Sequence, residues 1–318
     1  MPQNQARDEA NVVTAGASLR PFNDWCGNLR IVFVTGKGGV GKSLISAAIA
    51  TEQAKLGKRV LLAEIGDTSY FKDFWRLPSV SYQPMRLDRG FDFALWNGET
   101  ALREYVLHYL KVERLFELFF ENKVMRSLIN VAPGLNEIAI LGKITSGIRK
   151  AGPPLNYDLI VVDCYATGHA LSLLRTPKGM MNAIQMGPMG NQSRDIEAVL
   201  VNPDLVGYLA VTLLEEMPVV ETIDFSRQLK AELGIAPVVI ANKVLSSGLS
   251  ESDIAELKSH PRGGVSDFVK YVEAINSRQS DFIRQLAAAG YQAKRIPLIF
   301  SNDADRLVEE TGEALRHG

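Results

Sequence analysis

The run Ile31-Val32-Phe33-Val34-Thr35, the turn Gly36-Lys37-Gly38-Gly39-Val40-Gly41-Lys42-Ser43 and the run Leu44-Ile45-Ser46-Ala47-Ala48-Ile49-Ala50 decide how this chain is built. The first five residues are β-branched or aromatic without a break, which reads as a strand buried on both faces. The last seven place apolar groups at helical spacing. Between them, four glycines free the backbone from the limits a Cβ imposes, so that successive N–H groups can turn to one side. A strand, a glycine turn and a helix N-terminus together form a cradle for phosphate oxygens.

The turn satisfies G-x-x-x-x-G-K-[ST] in the context the motif needs. It predicts that Gly36, Lys37, Gly38, Gly39, Val40, Gly41, Lys42, Ser43 and Leu44 surround the phosphates of a nucleotide. Lys42 is expected to reach the β and γ phosphates, and Ser43 to ligate Mg²⁺. Further strands are expected at Arg59–Ile65, Tyr157–Asp163, Val206–Leu213, Ala236–Ala241 and Arg295–Phe300, with helices between most of them, including Thr222–Leu233 and Ser266–Ala289. Strands alternating with helices imply an α/β fold of the P-loop NTPase kind, a mostly parallel sheet with helices on both faces. Gly234 suits a helix C-cap. Residues 70–150 break the rhythm. Phe91–Trp96 reads as a strand, but the rest, notably Leu115–Phe120, reads as a helical subdomain inserted into a domain spanning 29–318. Residues 1 to about 28 are polar and small, and are expected to form a mobile, disordered tail.

The whole chain has 318 residues, 46% hydrophobic and 22% charged, with a net charge of −1. Such a balance provides no global field for nucleic acid or acidic membranes. Cys26 and Cys164 cannot make a disulfide framework, and no Cys-x-x-Cys pair exists for zinc. The four histidines lie too far apart for a local metal motif. No apolar run reaches the length of a membrane span and no signal peptide is legible, so the expected setting is cytoplasmic.

Tyr157-Asp158-Leu159-Ile160-Val161-Val162-Asp163 is an apolar strand ending in an acid. Beside a phosphate cradle, Asp163 would hold Mg²⁺ through water. The residues that follow, Cys164-Tyr165-Ala166-Thr167-Gly168-His169-Ala170-Leu171-Ser172-Leu173-Leu174-Arg175-Thr176-Pro177, resemble the D-T-A-P-T-G-H-T-L-R-x-L-x-x-P switch of ArsA-type arsenite-pump ATPases and of relatives that target tail-anchored membrane proteins. Ala132–Ile138, with Leu141-Gly142-Lys143-Ile144 after it, is similar to the A-P-G-L-x-E-[IL] and G-K-[IV] stretches of bacterial members. Glu215–Thr222 is similar to their P-E-E-M-P-V-x-E-T. The resemblance covers about residues 29 to 310.

This resemblance implies a dimeric, Mg²⁺-dependent ATPase that changes shape as it converts ATP to ADP and phosphate. It makes Asp163 the Mg²⁺-linked acid, Gly168 a γ-phosphate sensor through its N–H, His169 a switch residue and Thr167 a hydroxyl near the phosphates. Lys37 resembles the second loop lysine of the deviant Walker A class, which reaches a neighbour's phosphates across a dimer like an arginine finger. A lysine simply facing solvent is the alternative. Cys164 stands where the family has Thr and reads as packing. Asn242 ends a strand at the base-recognition position, where its amide suits the adenine edge. Leu245 stands where GTPases carry the acid of Asn-Lys-x-Asp, so ATP is favoured over GTP. Pro297 resembles part of the adenine-flanking loop.

The sequence departs from the family after the second strand. Gly66 stands where the D-P-A-H switch has its water-positioning acid, Asp67 is one residue late, and Glu64, two earlier, is a candidate acid near Mg²⁺. The expected catalytic set is therefore Lys37, Lys42, Asp67 and Asp163, and the expected metal set Ser43, Asp163 and Glu64. Clustered cysteines for arsenite are missing, so neither arsenite activation nor zinc is expected. Met180, Met181, Met186 and Met189, with the inserted helices, are read either as a groove for a client such as a membrane-protein helix or as core filler. The partner subunit is an identical copy or a paralogue. Two other readings stay open. One is a nucleotide-gated binding or chaperone protein with little hydrolysis, which Gly66 favours. The other is a Min-type or Par-type positioning ATPase, disfavoured by the insertion and the acidic C-terminal stretch.

Overall fold

Every residue of β1 (Ile31–Gly36) is buried, and the sides they face explain the unbroken apolar run. Ile31 and Phe33 join one apolar cluster, Val32 and Val34 another. A period of two divides any strand this way when helices cover both faces of its sheet. The computed structural model describes residues 21–110, 134–153, 155–184, 188–245, 251–259 and 265–317. Among these, β2 (Val60–Ile65), β3 (Met85–Arg86), β4 (Asp92–Trp96), β5 (Leu159–Asp163), β6 (Val206–Thr212), β7 (Val238–Val244) and β8 (Ala293–Pro297) complete an eight-stranded sheet with β1. The order is β3-β4-β2-β5-β1-β6-β7-β8. Only the edge pair β3–β4 is antiparallel.

One face is covered by α5 (Leu135–Arg149), α6 (Thr167–Ala183), α7 (Pro188–Leu200) and α8 (Glu216–Leu233), which contribute Leu141, Leu174, Ile196 and Phe225 to the first cluster. The other face is covered by α1 (Phe22–Gly27), α2 (Lys42–Lys55), α3 (Tyr70–Phe74) and α11 (Ala304–His317), through Phe22, Ile45, Ile49, Phe71 and Leu315. α4 (Gly98–Leu110) leads away from β4, α9 (Glu251–Ser259) follows β7, and α10 (Val265–Ala288) precedes β8. A smaller third cluster joins Leu286 of α10 to Val219 and Ile223 of α8 and Val239 of β7. Fully burying a large apolar side chain is worth about 1.5–3 kcal/mol, so the two main clusters fix the sheet against both helix layers. No described helix is long and apolar enough to cross a membrane.

Several boundaries move. The tail expected to end near residue 28 gives way to α1, which buries Phe22 and Cys26. Lys58 Nζ closes its C-terminus by donating to the carbonyls of Cys26 (3.3 Å) and Gly27 (2.7 Å). A helix of six residues is too short to show a period in sequence; residues 1–20 lie outside the described residues. β7 does not stop at Ala241 but runs to Val244 across a register shift, with Lys243 in the left-handed region (φ +55°). β8 lies earlier than its apolar residues suggest. Val239 pairs with Ala293, Pro297 closes the strand, and Phe300 is left 85% exposed. Between β2 and β5 the chain forms α3, the short β3–β4 pair, α4 and α5, and β4 lies in the main sheet beside β2. Leu115–Phe120, Ala132 and Pro133 lie outside the described residues.

Candidate functional site

The glycine turn leaves β1, at the centre of the sheet, where the chain parts toward β5 on one side and β6 on the other. Ligands of open α/β sheets bind at the carboxyl ends of the strands near such a point. Gly36 lets β1 lie close to β6: a Cβ there would sit 2.2 Å from the Val211 carbonyl oxygen. Gly41 is left-handed (φ +96°) and caps α2, and its Cβ would fall 2.4 Å from Asn242 Nδ2. A Cβ on Gly38 or Gly39 would meet nothing within 4 Å. Lys42 opens α2, and its Nζ folds over the loop to donate to the Lys37 carbonyl at 3.3 Å. Leu44, in the same turn, packs against the second cluster.

The end of β7 braces this loop from behind. Asn242, 2% exposed, donates from Nδ2 to the Val40 carbonyl at 2.8 Å, and Lys243 Nζ donates to the Gly39 carbonyl at 3.3 Å. In a trans peptide the N–H points opposite its C=O. Drawing the carbonyls of residues 39 and 40 toward β7 therefore turns the amides of Val40 and Gly41 the other way. The sequence reading gave the Asn242 amide to an adenine edge, but its observed bond is to the loop. Pro297 lies exposed on the same rim, beside Val244, where Leu298 N donates to the Val244 carbonyl at 2.9 Å.

Two acids end adjacent strands in register, Glu64 on β2 and Asp163 on β5. Both are 5% exposed. Asp163 turns to α2: Ser43 Oγ donates to its Oδ2 at 2.6 Å and Ser46 Oγ to its Oδ1 at 3.1 Å. Burial pushes its carboxyl up to about 6, opposed by the Ser43 hydroxyl, the Lys42 charge and the Ser46 hydroxyl. Among the described residues it makes no ion pair. A buried carboxylate beside a serine hydroxyl is a hard oxygen donor set that suits Mg²⁺. Glu64 is turned elsewhere. Ser69 Oγ donates to its Oε2 at 2.5 Å and Tyr70 N to its Oε1 at 2.6 Å, so both oxygens serve the start of α3. Burial pushes it up to about 7 despite those bonds, and the charge of Asp163 adds to the shift.

The segment after β5 is anchored by Thr35 Oγ1, which donates to the Tyr165 carbonyl at 2.7 Å. Cys164 is buried in the first cluster, and burial pushes its thiol up to about 12; an inert packing role fits both. Thr167 is buried at the start of α6, whereas Gly168 and His169 are exposed there, and the His169 ring meets Tyr165 edge-on at 6.1 Å. Asp67 is exposed just past β2 and close enough to Tyr165 for its charge to help raise the phenol, after burial and Cys164, to about 12. Gly66 N donates to the Trp96 carbonyl at 2.9 Å, which fixes the chain on the strand side of Asp67.

Lys37 carries the contact that sequence reasoning missed. Its Nζ sits 2.5 Å from Glu221 Oε1 on α8, and both side chains are about one-third exposed. Glu221 belongs to the quoted P-E-E-M-P-V-x-E-T stretch, yet nothing in its spacing from residue 37 signals the pairing. Ser46 was also unassigned; its position one turn after Ser43 was the available sign. Met180 packs against the first cluster and Met186 lies outside the described residues.

Known proteins resemble this chain along much of its length. The sequence pattern of the anion-transporting ATPase family matches residues 29–193. ATPase BagA of Mycobacterium tuberculosis is 30% identical over 258 residues, 76% of this chain and 73% of that protein. The arsenical pump-driving ATPase of Escherichia coli is 31% identical over 162 residues, half of this chain and 27% of that protein. ATPase ASNA1 homolog 1 of Paramecium tetraurelia is 26% identical over 162 residues, half of this chain and 48% of that protein. With the glycine cradle, the acid on the neighbouring strand and a family match across half its length, this chain belongs to the ArsA-like anion-transporting ATPase family.

Proposed function

We propose that the chain is a Mg²⁺-dependent ATP hydrolase that works as a dimer and changes shape with its nucleotide. The observation that carries this reading is the convergence of Ser43, Ser46 and Asp163 beside the braced glycine loop. The amides of residues 36–43 and the α2 N-terminus bind the phosphates. Lys42 exchanges its bond to the Lys37 carbonyl for the β and γ phosphates. Ser43 and Asp163 hold Mg²⁺, which when bound offsets phosphate charge. Asp67, exposed just past β2, orients the attacking water. Gly168 offers its N–H to the γ-phosphate, while Thr167 and His169 carry the change onward along α6. Asn242 braces the loop and offers its remaining amide hydrogen to adenine beside Pro297.

The dimer reading rests on Lys37 and on the face around it. Met217 and Val220 are 58% and 40% exposed on the same side of α8 as Glu221. Two exposed apolar side chains beside the Lys37–Glu221 pair suit a second copy or a paralogue. The client class that this reading assigns is a membrane-protein helix, on the family resemblance alone.

Phosphate release by wild type, Lys42→Ala and Asp67→Asn tests the enzyme reading. Wild type should exceed Lys42→Ala by at least about 10²-fold, a loss of roughly 3 kcal/mol of transition-state binding. A second reading, a nucleotide-gated binding protein, is favoured by Gly66 at the place of the family's acid. ATP retained by a wild type no faster than Lys42→Ala would establish it. Capturing partners with Asp67→Asn loaded with ATP tests the client; a membrane protein among them supports it.

A further inference from the structure

We propose that Glu221 is the positioning residue of Lys37: it holds the ammonium on α8 of its own chain and surrenders it only when a second subunit presents bound nucleotide. This deepens the dimer reading above and rests on it.

Both ends of the pair are anchored. Val219 and Thr222, on either side of Glu221, are buried at 0% and 1%, so the carboxylate rises from a fixed helix turn. The Lys37 backbone is tied to its own loop, because its carbonyl accepts the Lys42 ammonium. An unpaired lysine side chain samples many rotamers. A 2.5 Å charge-assisted contact removes much of that freedom and fixes where the Nζ lies. The contact also keeps the second positive charge of the loop out of its own cradle, leaving Lys42 as the cation folded over it.

An ammonium committed to Glu221 must leave it to reach a phosphate on a facing subunit. The ion pair therefore competes with ATP-dependent dimerisation, and in a two-fold dimer the competition is met twice. Half-exposed pairs are worth roughly 0.2–1 kcal/mol, up to about fivefold each. Two of them oppose association by up to about 25-fold.

The test is sedimentation with Mg²⁺ and a non-hydrolysable ATP analogue on wild type, Glu221→Gln, Lys37→Ala and the double variant, with Glu221→Asp as the charge-preserving control. Glu221→Gln should tighten the ATP-dependent dimer by about 2- to 25-fold, and Glu221→Asp should stay near wild type. In the Lys37→Ala background, Glu221→Gln should change nothing, since its effect runs through the lysine. The proposal is overturned, with the Lys37 reading intact, if Lys37→Ala weakens the dimer but Glu221→Gln leaves it unaltered. It is overturned equally if the Glu221→Gln effect persists without Lys37, because Glu221 then acts on the interface by itself. Should Lys37→Ala leave association untouched, the cross-dimer lysine fails first and Glu221 with it.

Discussion

Glu64 and Asp163 are neighbours in register on adjacent parallel strands, equally buried, and both acids are pushed upward by burial. Their hydrogen bonds separate them. Asp163 takes its donors from Ser43 and Ser46, 120 and 117 residues away in sequence, at the start of the helix that closes the phosphate cradle. Glu64 takes its donors from Ser69 and Tyr70, five and six residues on. One carboxylate is committed to the place where a ligand would lie, the other to the chain that follows it. Position on a strand end therefore does not assign a role; the donors do.

The sharpest way to break the contrast is Asp163→Asn. On the proposed reading it removes the charge that holds Mg²⁺ and should lower phosphate release by about 10²–10³-fold, several kcal/mol of lost electrostatic stabilisation. Binding of nucleotide without Mg²⁺, followed by fluorescence or dialysis, should change little. A variant as fast as wild type would show that the cradle does not work through this acid.

A smaller effect is expected behind the loop. Asn242→Ala removes the donor to the Val40 carbonyl and leaves that carbonyl facing a gap. An unmade bond at a buried acceptor costs about 1–3 kcal/mol. Thermal unfolding of nucleotide-free protein should move down accordingly, and ATP affinity should fall by about tenfold because the amides of Val40 and Gly41 lose their fixed direction. Unaltered stability with lost affinity would return Asn242 to base recognition alone.

These contacts mark where the sequence stops being legible. The cradle and its central strand could be read because their signals are local: an apolar run, glycines at fixed offsets, helical spacing. Asp163 was legible because an apolar strand ending in an acid is also a local pattern. The brace from Asn242 to Val40 spans 202 residues, and Lys37 to Glu221 spans 184. No periodicity records a pairing of that kind; only the strand order, which lays β7 next to β6 beside β1, brings the partners together. Glu64 is the opposite case. Its partners were close in sequence, but the choice between a helix start and a metal depends on which way the carboxylate turns after β2.

The smallest effect on turnover, and the most informative about the contrast, belongs to Glu64→Gln. If Glu64 serves α3 rather than the metal, phosphate release should stay within about threefold of wild type, while stability acquires a distinctive pH dependence. The folded chain holds the Glu64 proton up to about pH 7, the unfolded chain only to its ordinary 4.5. Between those values the folded state binds more protons, so Glu64 contributes stability that is complete below pH 4.5 and lost as pH rises through 7. Gln has no proton to lose. Relative to wild type, the variant should therefore gain stability from pH 5 to pH 8, by on the order of 3 kcal/mol at most. Asp163 titrates in both proteins, and its contribution cancels to first order. Urea unfolding of nucleotide-free protein at the two pH values reads the difference directly. A gap of the same size at both would mean that the carboxylate titrates alike in folded and unfolded chains, and that its two bonds to Ser69 and Tyr70 fully offset its burial.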